Sequence, residues 1–402
     1  MPAQDPEFVD TVPALAALGE RLAGARELAI DTEFIRERTY APRLELVQLA
    51  TRDGRVALID YGTLGRVDGD PLAAICADPS VLKVFHAAEQ DLEMLALLFG
   101  RAPEPIWDTQ LAAGLFGYTG RLGYSAMVEA LLGERPATGE AYTEWSRRPL
   151  APEQIRYAAA DVAYLLALHD AERARLGELG RVSWAEEECA ELGSRVERAL
   201  GRRADAGAAH QRVRGWQRLD RRKLAILREL AEWREREAAR RNRPAPRIAR
   251  DDLLIEIARR APARPAELST LRGLPAHDLQ RHGDALVEAV RRGSDAPREE
   301  WPEAAAPAPE IEESEAPLVP LLLAVLQSLA LERRIAPALL ATTADVQRLV
   351  LAVTRGESLD GVRLVRGWRD EAVGGEIRAL LEGRSVVAWD GDRRRLRIDP
   401  RG

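Results

Sequence analysis

Short apolar runs that alternate with helical patterns over the first 200 residues constrain the fold of this chain most strongly. Four runs rich in Val, Ile and Leu have the length of single strands, namely ELAIDTEF (27–34), LELVQLA (44–50), VALID (56–60) and VLKVFHA (81–87). Asp53-Gly54 marks a tight turn between the second and third runs. Strands joined by tight turns, followed by strands that alternate with helices, predict an α/β fold with a mixed sheet flanked by helices.

Helical patterns follow the fourth run. EQDLEMLALLFG (89–100) is amphipathic and ends at a glycine, as helices commonly do. A longer pattern starts at Pro152, a favourable first-turn residue, and places apolar residues three or four positions apart as far as Leu176. We therefore predict one long helix over 152–176.

Changes in composition divide the chain of 402 residues into regions, since this length allows two or three domains. Residues 294–316 contain eight acids and one base, are rich in Pro and Ala, and predict an extended acidic linker. A second boundary lies near 201–211. The predicted organisation is an α/β domain over 1–200, a helical domain over 212–293, the linker, and a second small helical domain over 317–402 that ends in a hairpin around Asp390-Gly391.

Charge is distributed unevenly along the chain. The net charge of −7 is unusual for a nucleic-acid-binding protein, but the linker alone carries a net charge of −7. Residues 202–250 contain sixteen bases and six acids, a net charge of +10. This basic block could attract a phosphate backbone, or it could be a solvated helix surface in an arginine-rich protein.

Several functional classes are excluded by the sequence. It has no apolar run of the roughly 18 to 20 residues that a membrane span requires, and its N-terminal residues lack the pattern of a signal peptide. Cys76 and Cys189 are far apart and form no CxxC motif, so we expect them to be reduced and structurally incidental. These features predict a cytoplasmic protein, and we expect a monomer.

Asp31 and Glu33 stand at the end of the first predicted strand. Residues i and i+2 of a strand face the same side, so the two carboxylates would repel each other unless a cation lies between them or one is protonated. An acid-x-acid triplet is a weak signal by itself, because an exposed or salt-bridged pair is its usual explanation.

Other acids fall where they could join this pair. Asp91 follows the VLKVFHA strand, while Tyr157 and Asp161 lie four residues apart and hence on one face of the predicted long helix. The three alanines between them would let this helix approach a neighbouring surface closely. A cluster of Asp31, Glu33, Asp91 and Asp161 would be unfavourable without metal, and its oxygen ligands favour two Mg²⁺ or Mn²⁺ ions over Zn²⁺.

These residues lie in three segments, DTEF (31–34), HAAEQDLEML (86–95) and YAAADVAYLL (157–166). In order and spacing they resemble the three exonuclease motifs of the DEDD superfamily, and Tyr157 matches its tyrosine-containing subclass. The segments FIRERTYAPRLELVQLA, IWDTQLAAGLFG and EWSRRPLAPEQIRYAAAD look specifically like the ribonuclease D family. The resemblance implies a ribonuclease H-like fold for the first domain.

The resemblance extends over the later regions. Residues 219–290 are similar to the helicase-and-ribonuclease-D C-terminal (HRDC) domain, a small helical bundle, with breaks at Pro244 and Pro246 and helix starts near Asp251 and Pro265. The region from 317 resembles the degenerate second HRDC-like domain of ribonuclease D. We expect Trp216 and Trp233 to be core residues of the first bundle.

The resemblance also implies a mechanism. Asp31 would bridge two metal ions, Glu33 and Asp161 would complete the site of the ion that activates water, and Asp91 would help to hold the second ion through water. Tyr157 would orient the attacking water. The implied reaction is 3′-to-5′ hydrolysis that releases nucleoside 5′-monophosphates from the single-stranded 3′ ends of tRNA precursors and other small structured RNAs.

Four further residues are candidate substrate contacts. Arg36, Arg38 and Tyr40 follow the first motif and could touch the RNA backbone or stack on a base, although an ordinary surface loop explains them equally well. His86 could contact substrate, but a hydrogen-bonded structural role is commoner for a histidine at the end of an apolar strand.

Two other functions remain open at this point. A DNA-directed exonuclease of the same fold would use the same motifs, because these bind metal and phosphate. A non-catalytic RNA-binding scaffold would rely on the HRDC-like domains alone. We do not expect an ATP-driven helicase, because the chain contains no GxxxxGK[ST] loop.

Overall fold

Six strands form the central sheet of the structure, a computed structural model that describes residues 5–36, 38–118, 122–136, 144–204, 206–305 and 311–401. The strands are β1 (Glu7–Val9), β2 (Glu27–Ile35), β3 (Arg43–Ala50), β4 (Val56–Ile59), β5 (Leu82–Phe85) and β6 (Ile106–Asp108). Their order is β1-β4-β3-β2-β5-β6. β1 pairs parallel with β4, β3 pairs antiparallel with β4, and β5 pairs parallel with both β2 and β6.

The predicted mixed sheet is confirmed. Two strands, β1 and β6, are not predicted above because each has only three residues, too few to establish a pattern. Leu28, Ala29 and Ile30 of β2 are completely buried, as expected for a central strand covered on both faces.

Within the described part of the chain, nine helices follow or flank these strands. They are α1 (Val12–Leu22), α2 (Tyr61–Leu64), α3 (Pro71–Ala77), α4 (Glu89–Phe99), α5 (Thr109–Ala113), α6 (Tyr124–Leu132), α7 (Pro152–Ala163), α8 (Leu165–Glu178) and α9 (Val182–Ala204). The single long helix predicted over 152–176 is wrong, because the structure divides it at Tyr164 into α7 and α8. No membrane-spanning helix occurs among the described residues, since none is both long and apolar enough.

The chain forms two compact units. One comprises Met1–Thr32, Leu46–Arg195 and Pro309–Gly402, and the other comprises Glu33–Glu45 and Val196–Ala308. We call them unit 1 and unit 2.

Unit 2 contains a bundle of helices. These are α10 (Arg221–Arg241), α11 (Ala245–Ile248), α12 (Asp251–Arg260), α13 (Pro265–Leu268) and α14 (Ala276–Asp295). Trp233 is buried in the core of the bundle and Trp216 packs against that core. Gly293 of α14 lies so close to α10 that a Cβ there would approach the Cα of Ile226 to 2.4 Å, so a side chain would force the helices apart.

The acidic segment begins differently from the prediction. α14 continues to Asp295, and the next residues pack on the bundle instead of extending from it. Arg228 donates to the carbonyl of Glu300 at 2.7 Å, and Arg221 donates to that of Trp301 at 3.1 Å. Residues 306–310 of the predicted linker lie outside the described residues.

The C-terminal part of the chain belongs to unit 1. Its elements are α15 (Leu318–Arg333), α16 (Pro337–Leu340), α17 (Thr343–Thr354), α18 (Gly367–Arg369), α19 (Gly375–Leu381), β7 (Ser385–Asp390) and β8 (Arg395–Pro400), the last two paired as a hairpin. Leu322 and Trp368 of this part occur in one hydrophobic core with Trp107 and Val162 of the α/β part. The two parts therefore share one hydrophobic core.

Candidate active site

Asp31 and Glu33 project from the same side of β2, just after the completely buried run of Leu28 to Ile30. α7 supplies Asp161. One carboxylate oxygen from each of Asp31, Glu33 and Asp161 can be chosen so that the three atoms lie within 4.8 Å of one another. All three side chains are partly buried. We call this group the acidic cluster.

Small residues bring α7 close enough to form the acidic cluster. Ala158, Ala159 and Ala160 are at most 9% exposed, so the helix packs with its backbone near the sheet. The loop before α7 is also anchored, because Arg148 donates its Nε to the buried carboxylate of Asp60 at 2.6 Å. Asp60 in turn caps α2. Helix packing and a buried ion pair thus fix where Asp161 lies.

Burial raises the pKa of two carboxyl groups of the acidic cluster, those of Asp31 and Asp161. Desolvation by the surrounding protein raises the pKa of Asp31 to about 7, against a smaller opposing effect of the Thr32 amide. Desolvation, and then the charge of Asp31, raises the pKa of Asp161 to about 8, although a hydrogen bond from Tyr157 opposes this shift. A bound cation would reverse these effects, because it stabilises the ionised form.

Asp91 lies beside the acidic cluster but is not one of its three members. It is buried near the start of α4 and accepts a hydrogen bond from Thr32, the residue between Asp31 and Glu33. Burial, and then the charge of Asp31, raises the pKa of Asp91 well above its ordinary value. Of the four carboxylates predicted to meet, the structure brings Asp31, Glu33 and Asp161 together. The fourth, Asp91, is hydrogen-bonded to Thr32 of β2.

Tyr157 precedes Asp161 by one turn of α7 and donates a hydrogen bond to its carboxylate. The ring of the buried Trp145 packs beside it, with 6.2 Å between ring centroids. The phenol is therefore held at the edge of the acidic cluster, where it can both donate and accept a hydrogen bond.

His86 uses both ring nitrogens within the protein. Its Nε2 lies 3.0 Å from the carbonyl of Leu122 and its Nδ1 lies 2.8 Å from the hydroxyl of Thr109. Burial lowers the pKa of His86, which favours the neutral ring. Because a carbonyl only accepts, Nε2 carries the proton. These contacts agree with a hydrogen-bonded structural role for His86, which was the alternative to contact with substrate.

The other candidate substrate contacts have different surroundings. Arg36 is exposed and its guanidinium lies 5.6 Å from the centroid of the Phe34 ring, and Arg38 is exposed. Tyr40 makes contacts within unit 2, where its hydroxyl donates to Glu235 at 2.9 Å and its amide donates to the side chain of Asn242 at 3.2 Å. Contact of Arg36, Arg38 or Tyr40 with RNA stays a prediction.

Asp108 supports the site and is not among the predicted residues. Its buried carboxylate accepts hydrogen bonds from the amides of Ala87 and Ala88, at 3.0 and 2.9 Å, and caps α5 through Gln110 at 2.8 Å. Ala87 has a φ of 58°, which is unfavourable for alanine and needs such support. Asp108 thereby fixes the turn that leads to Asp91. An acid directly after an apolar run, where helix caps occur, is the signal that could have identified it.

A cavity of about 510 Å³ lies away from the acidic cluster, around the N-terminal end of β2. Arg26, Glu27 and Arg52 line it, and Arg52 is ion-paired with both Glu27 and Asp170. None of the residues that line this cavity belongs to the acidic cluster.

Two protein-family models match this chain, one for each of the two regions that the motifs distinguish. A model described as a 3′-5′ exonuclease matches residues 6–175, and the HRDC domain model matches residues 223–290. The acidic cluster and Tyr157 lie within the first match.

Similar proteins match nearly the whole chain. Ribonuclease D of Acidiphilium cryptum is 39% identical over 97% of this chain and 96% of its own length, and ribonuclease D of Gluconacetobacter diazotrophicus is 38% identical with the same coverage. The crystal structure of Escherichia coli RNase D, described as an exoribonuclease involved in structured RNA processing, superposes with a TM-score of 0.82 at 30% identity and covers 94% of this chain and 99% of that one. With the fold and the order of its domains, these matches identify the chain as a member of the ribonuclease D family of 3′-5′ exoribonucleases.

Proposed function

We propose that this exoribonuclease releases nucleoside 5′-monophosphates one at a time from single-stranded 3′ ends, with two divalent cations at the acidic cluster. The observation that carries the proposal is the meeting of Asp31, Glu33 and Asp161 within 4.8 Å, with Tyr157 bonded to one of them. Such a group repels itself unless positive charge is supplied.

The residues present fit hard divalent cations. All donors are carboxylate oxygens, which suit Mg²⁺ or Mn²⁺. Asp31, Glu33 and Asp161 would hold one ion, and Asp31 and Asp91 would hold the other, Asp91 through water. When bound, such ions lower the pKa of a water molecule and stabilise charge on the leaving oxygen.

The chain's own residues would orient the reactants. Tyr157, fixed by Asp161 and by the Trp145 ring, would hold the attacking water in line with the scissile phosphate. Asp108 would keep the turn before Asp91 in place through the Ala87 and Ala88 amides. The rigid supports matter because a small misplacement of reacting groups costs much of the rate.

The relatives and the charge distribution support a proposal for the substrate class. We propose tRNA precursors and other small structured RNAs with 3′ extensions, because the similar Escherichia coli enzyme is described as acting in structured RNA processing. The HRDC domain over 212–293 carries most of the basic block and would hold the body of the RNA. The domain boundaries, cytoplasmic location and monomeric state given above stay predictions.

A labelled RNA tests the function directly. A 5′-labelled hairpin with a short 3′ tail is incubated with the full-length protein and Mg²⁺, with EDTA and the Asp31→Asn variant as controls. We expect a ladder that shortens one nucleotide at a time from the 3′ end, absent in both controls. Because even outer partners of metal ligands contribute about 10–100-fold, loss of Asp31 itself should cost at least about 100-fold in rate.

Two results would contradict the proposal. Faster shortening of an equivalent DNA would assign the activity to a DNA-directed enzyme. RNA that is bound but left intact with every metal tested would assign the protein to the scaffold class.

A further inference from the structure

The break between α7 and α8 has no cause in the residues of the helices themselves. Residues 153–176 contain no Pro or Gly, and their apolar spacing predicts a continuous helix. The chain nevertheless leaves α7 after Ala163, and Tyr164 has φ −111° and ψ −1°. Helices that bend without Pro or Gly commonly have a side chain or water inserted into their hydrogen bonds.

The hydroxyl of Tyr124 occupies that place. It donates to the carbonyl of Ala160 at 3.0 Å and accepts the amide of Tyr164, also at 3.0 Å. In a continuous helix that carbonyl and that amide, four residues apart, bond directly to each other. The phenol therefore stands in place of one backbone hydrogen bond, and the turn that it spans contains Asp161.

Tyr124 is itself held by residues around the second exonuclease motif. It is the first residue of α6, and its ring packs edge-on against His86 with 5.9 Å between centroids. The preceding loop is anchored at Leu122, whose carbonyl accepts from His86 and from the Gln110 side chain, each at 3.0 Å. Burial raises the pKa of Tyr124, and the charges of Asp161 and Asp31 add to this shift, so its hydroxyl stays neutral and able to donate.

We propose that Tyr124 is a positioning residue whose hydroxyl opens the helix at Ala160 and Tyr164 and thereby aims Asp161 at Asp31 and Glu33. This inference rests on the proposed role of Asp161 as a metal ligand. Without the hydroxyl, the direct bond between Ala160 and Tyr164 can close. Asp161 then turns with its helix and the acidic cluster loses its spacing. Partners that orient a metal ligand commonly contribute about 10–100-fold to metal affinity.

The test compares Tyr124→Phe with Tyr61→Phe in the full-length protein. Tyr61 is a matched control, because it is also a buried tyrosine whose hydroxyl donates one hydrogen bond, to Asp70 at 2.7 Å, and Asp70 is outside the acidic cluster. Mn²⁺ binding is measured without RNA, from the electron paramagnetic resonance signal of free Mn²⁺, and RNA affinity is measured in EDTA. Thermal unfolding and hydrogen exchange of peptides covering 157–168 are recorded for each variant.

We expect Tyr124→Phe to weaken Mn²⁺ binding about 10-fold or more, to raise the Mn²⁺ concentration needed for half-maximal hydrolysis equally, and to leave RNA affinity unchanged. Hydrogen exchange over 157–168 should change in this variant alone. Equal Mn²⁺ binding by wild type, Tyr124→Phe and Tyr61→Phe would overturn the inference, and so would equal weakening in both variants, since that is a purely structural effect.

Different experimental results would refute the proposed function and this inference. A wild-type protein that bound no Mn²⁺ and released no nucleotide would refute the function itself. If Tyr124→Phe unfolds below the assay temperature, Tyr124→p-aminophenylalanine replaces it, because an aromatic amino group still donates to Ala160 but hardly accepts from the Tyr164 amide, so that half of the bridge is lost. Its expected Mn²⁺ affinity is below that of wild type, and an affinity equal to wild type would overturn the inference.

Discussion

At the scale of single residues, Asp31 and Asp161 are two of the carboxyl groups whose charge the fold makes costly. Both are acids in surroundings that favour the protonated form, with pKa values of about 7 and about 8. A cation at the acidic cluster would compete with protons for the same oxygen atoms, so metal binding should release protons. The pH dependence of the protein follows from this competition.

We predict that the metal-free protein loses stability as the pH rises from 6 to 8.5. The pKa values of Asp31 and Asp161 are raised above their unfolded value of 3.8, so the stability they contribute is complete below about pH 4 and is lost as the pH rises through about 7 to 8. Each ~1 kcal/mol lost would lower the Tm by roughly 2–4 °C. Mg²⁺ should raise the Tm more at pH 8.5 than at pH 6.

Calorimetry in EDTA and in Mg²⁺ at the two pH values measures this effect. Asp31→Asn is the control, because it removes one of the two titrating groups. It should weaken the pH dependence of the Tm and the pH dependence of the Mg²⁺-induced increase in Tm. A Mg²⁺-induced increase in Tm that is the same at pH 6 and pH 8.5 would contradict the predicted competition with protons.

Tyr157→Phe should lower kcat far more than RNA affinity. The phenol touches Asp161 and would act on the attacking water, and positioned proton-transfer groups contribute about 10²–10⁴-fold to rate. Single-turnover rates and RNA affinity in EDTA separate the two effects. Tyr118→Phe is the control, since that ring packs on Phe116 outside the cluster. Equal losses of rate and affinity would argue against a role in orienting water.

At the scale of elements, the contact between α9 and α18 joins the α/β part to the C-terminal helices. Glu188 of α9 is buried, accepts from Arg363 at 2.9 Å and from the Trp368 indole at 3.2 Å, and pairs with the buried Arg369. Trp184 stacks on Trp368 one turn away, with 5.4 Å between centroids. The C-terminal helices are thus fixed by charge as well as by apolar packing.

Glu188→Ala should destabilise unit 1 by about 3–5 kcal/mol, because it leaves the buried Arg369 without its carboxylate partner. Urea denaturation measures the change. Glu186→Ala is a matched control on the same helix, where Glu186 is exposed and pairs with Arg173 at 3.2 Å, and it should cost at most about 1 kcal/mol. Equal losses of unfolding free energy in the two variants would show that the buried ion pair contributes no more to stability than the exposed one.

At the scale of the whole molecule, charge is segregated along the sequence but partly neutralised in the structure. Within unit 2, Arg234 pairs with Asp251 at 2.6 Å and Arg240 pairs with Glu237 at 2.8 Å. Arg221 pairs with Glu303 of the acidic segment at 3.2 Å. Only part of the basic block is therefore available to RNA, and its exposed arginines are the ones to test.

Replacement of Arg243 and Arg247 by Gln should flatten the salt dependence of RNA binding. Both side chains are exposed in unit 2, and two lost phosphate contacts would reduce the slope of log affinity against log salt by roughly 1 to 2. The control replaces the exposed Arg55 and Arg135, which removes the same net charge from unit 1. Binding is measured in EDTA. An unchanged slope would mean that these arginines are only a solvated surface.

Truncation is a poorer test of the same idea. Removal of residues 202–402 would expose the core that α15 and α18 share with the α/β part. Loss of activity in such a fragment would then report unfolding as well as lost RNA contacts. Substitution at the surface avoids this ambiguity.

The sequence alone determined the mixed sheet, the order of the motifs and the pairs Asp31–Glu33 and Tyr157–Asp161, because these follow from residue order and from the spacing within single strands and helices. Strand spacing places Asp31 beside Glu33, and helix spacing places Tyr157 one turn from Asp161. Only the tertiary structure decided which distant groups meet. It places Asp91 against Thr32, holds Tyr40 within unit 2, inserts Tyr124 into the helix near Asp161 and merges the C-terminal helices into the first core. These contacts join residues 36 to more than 180 positions apart, over which no local periodicity carries information.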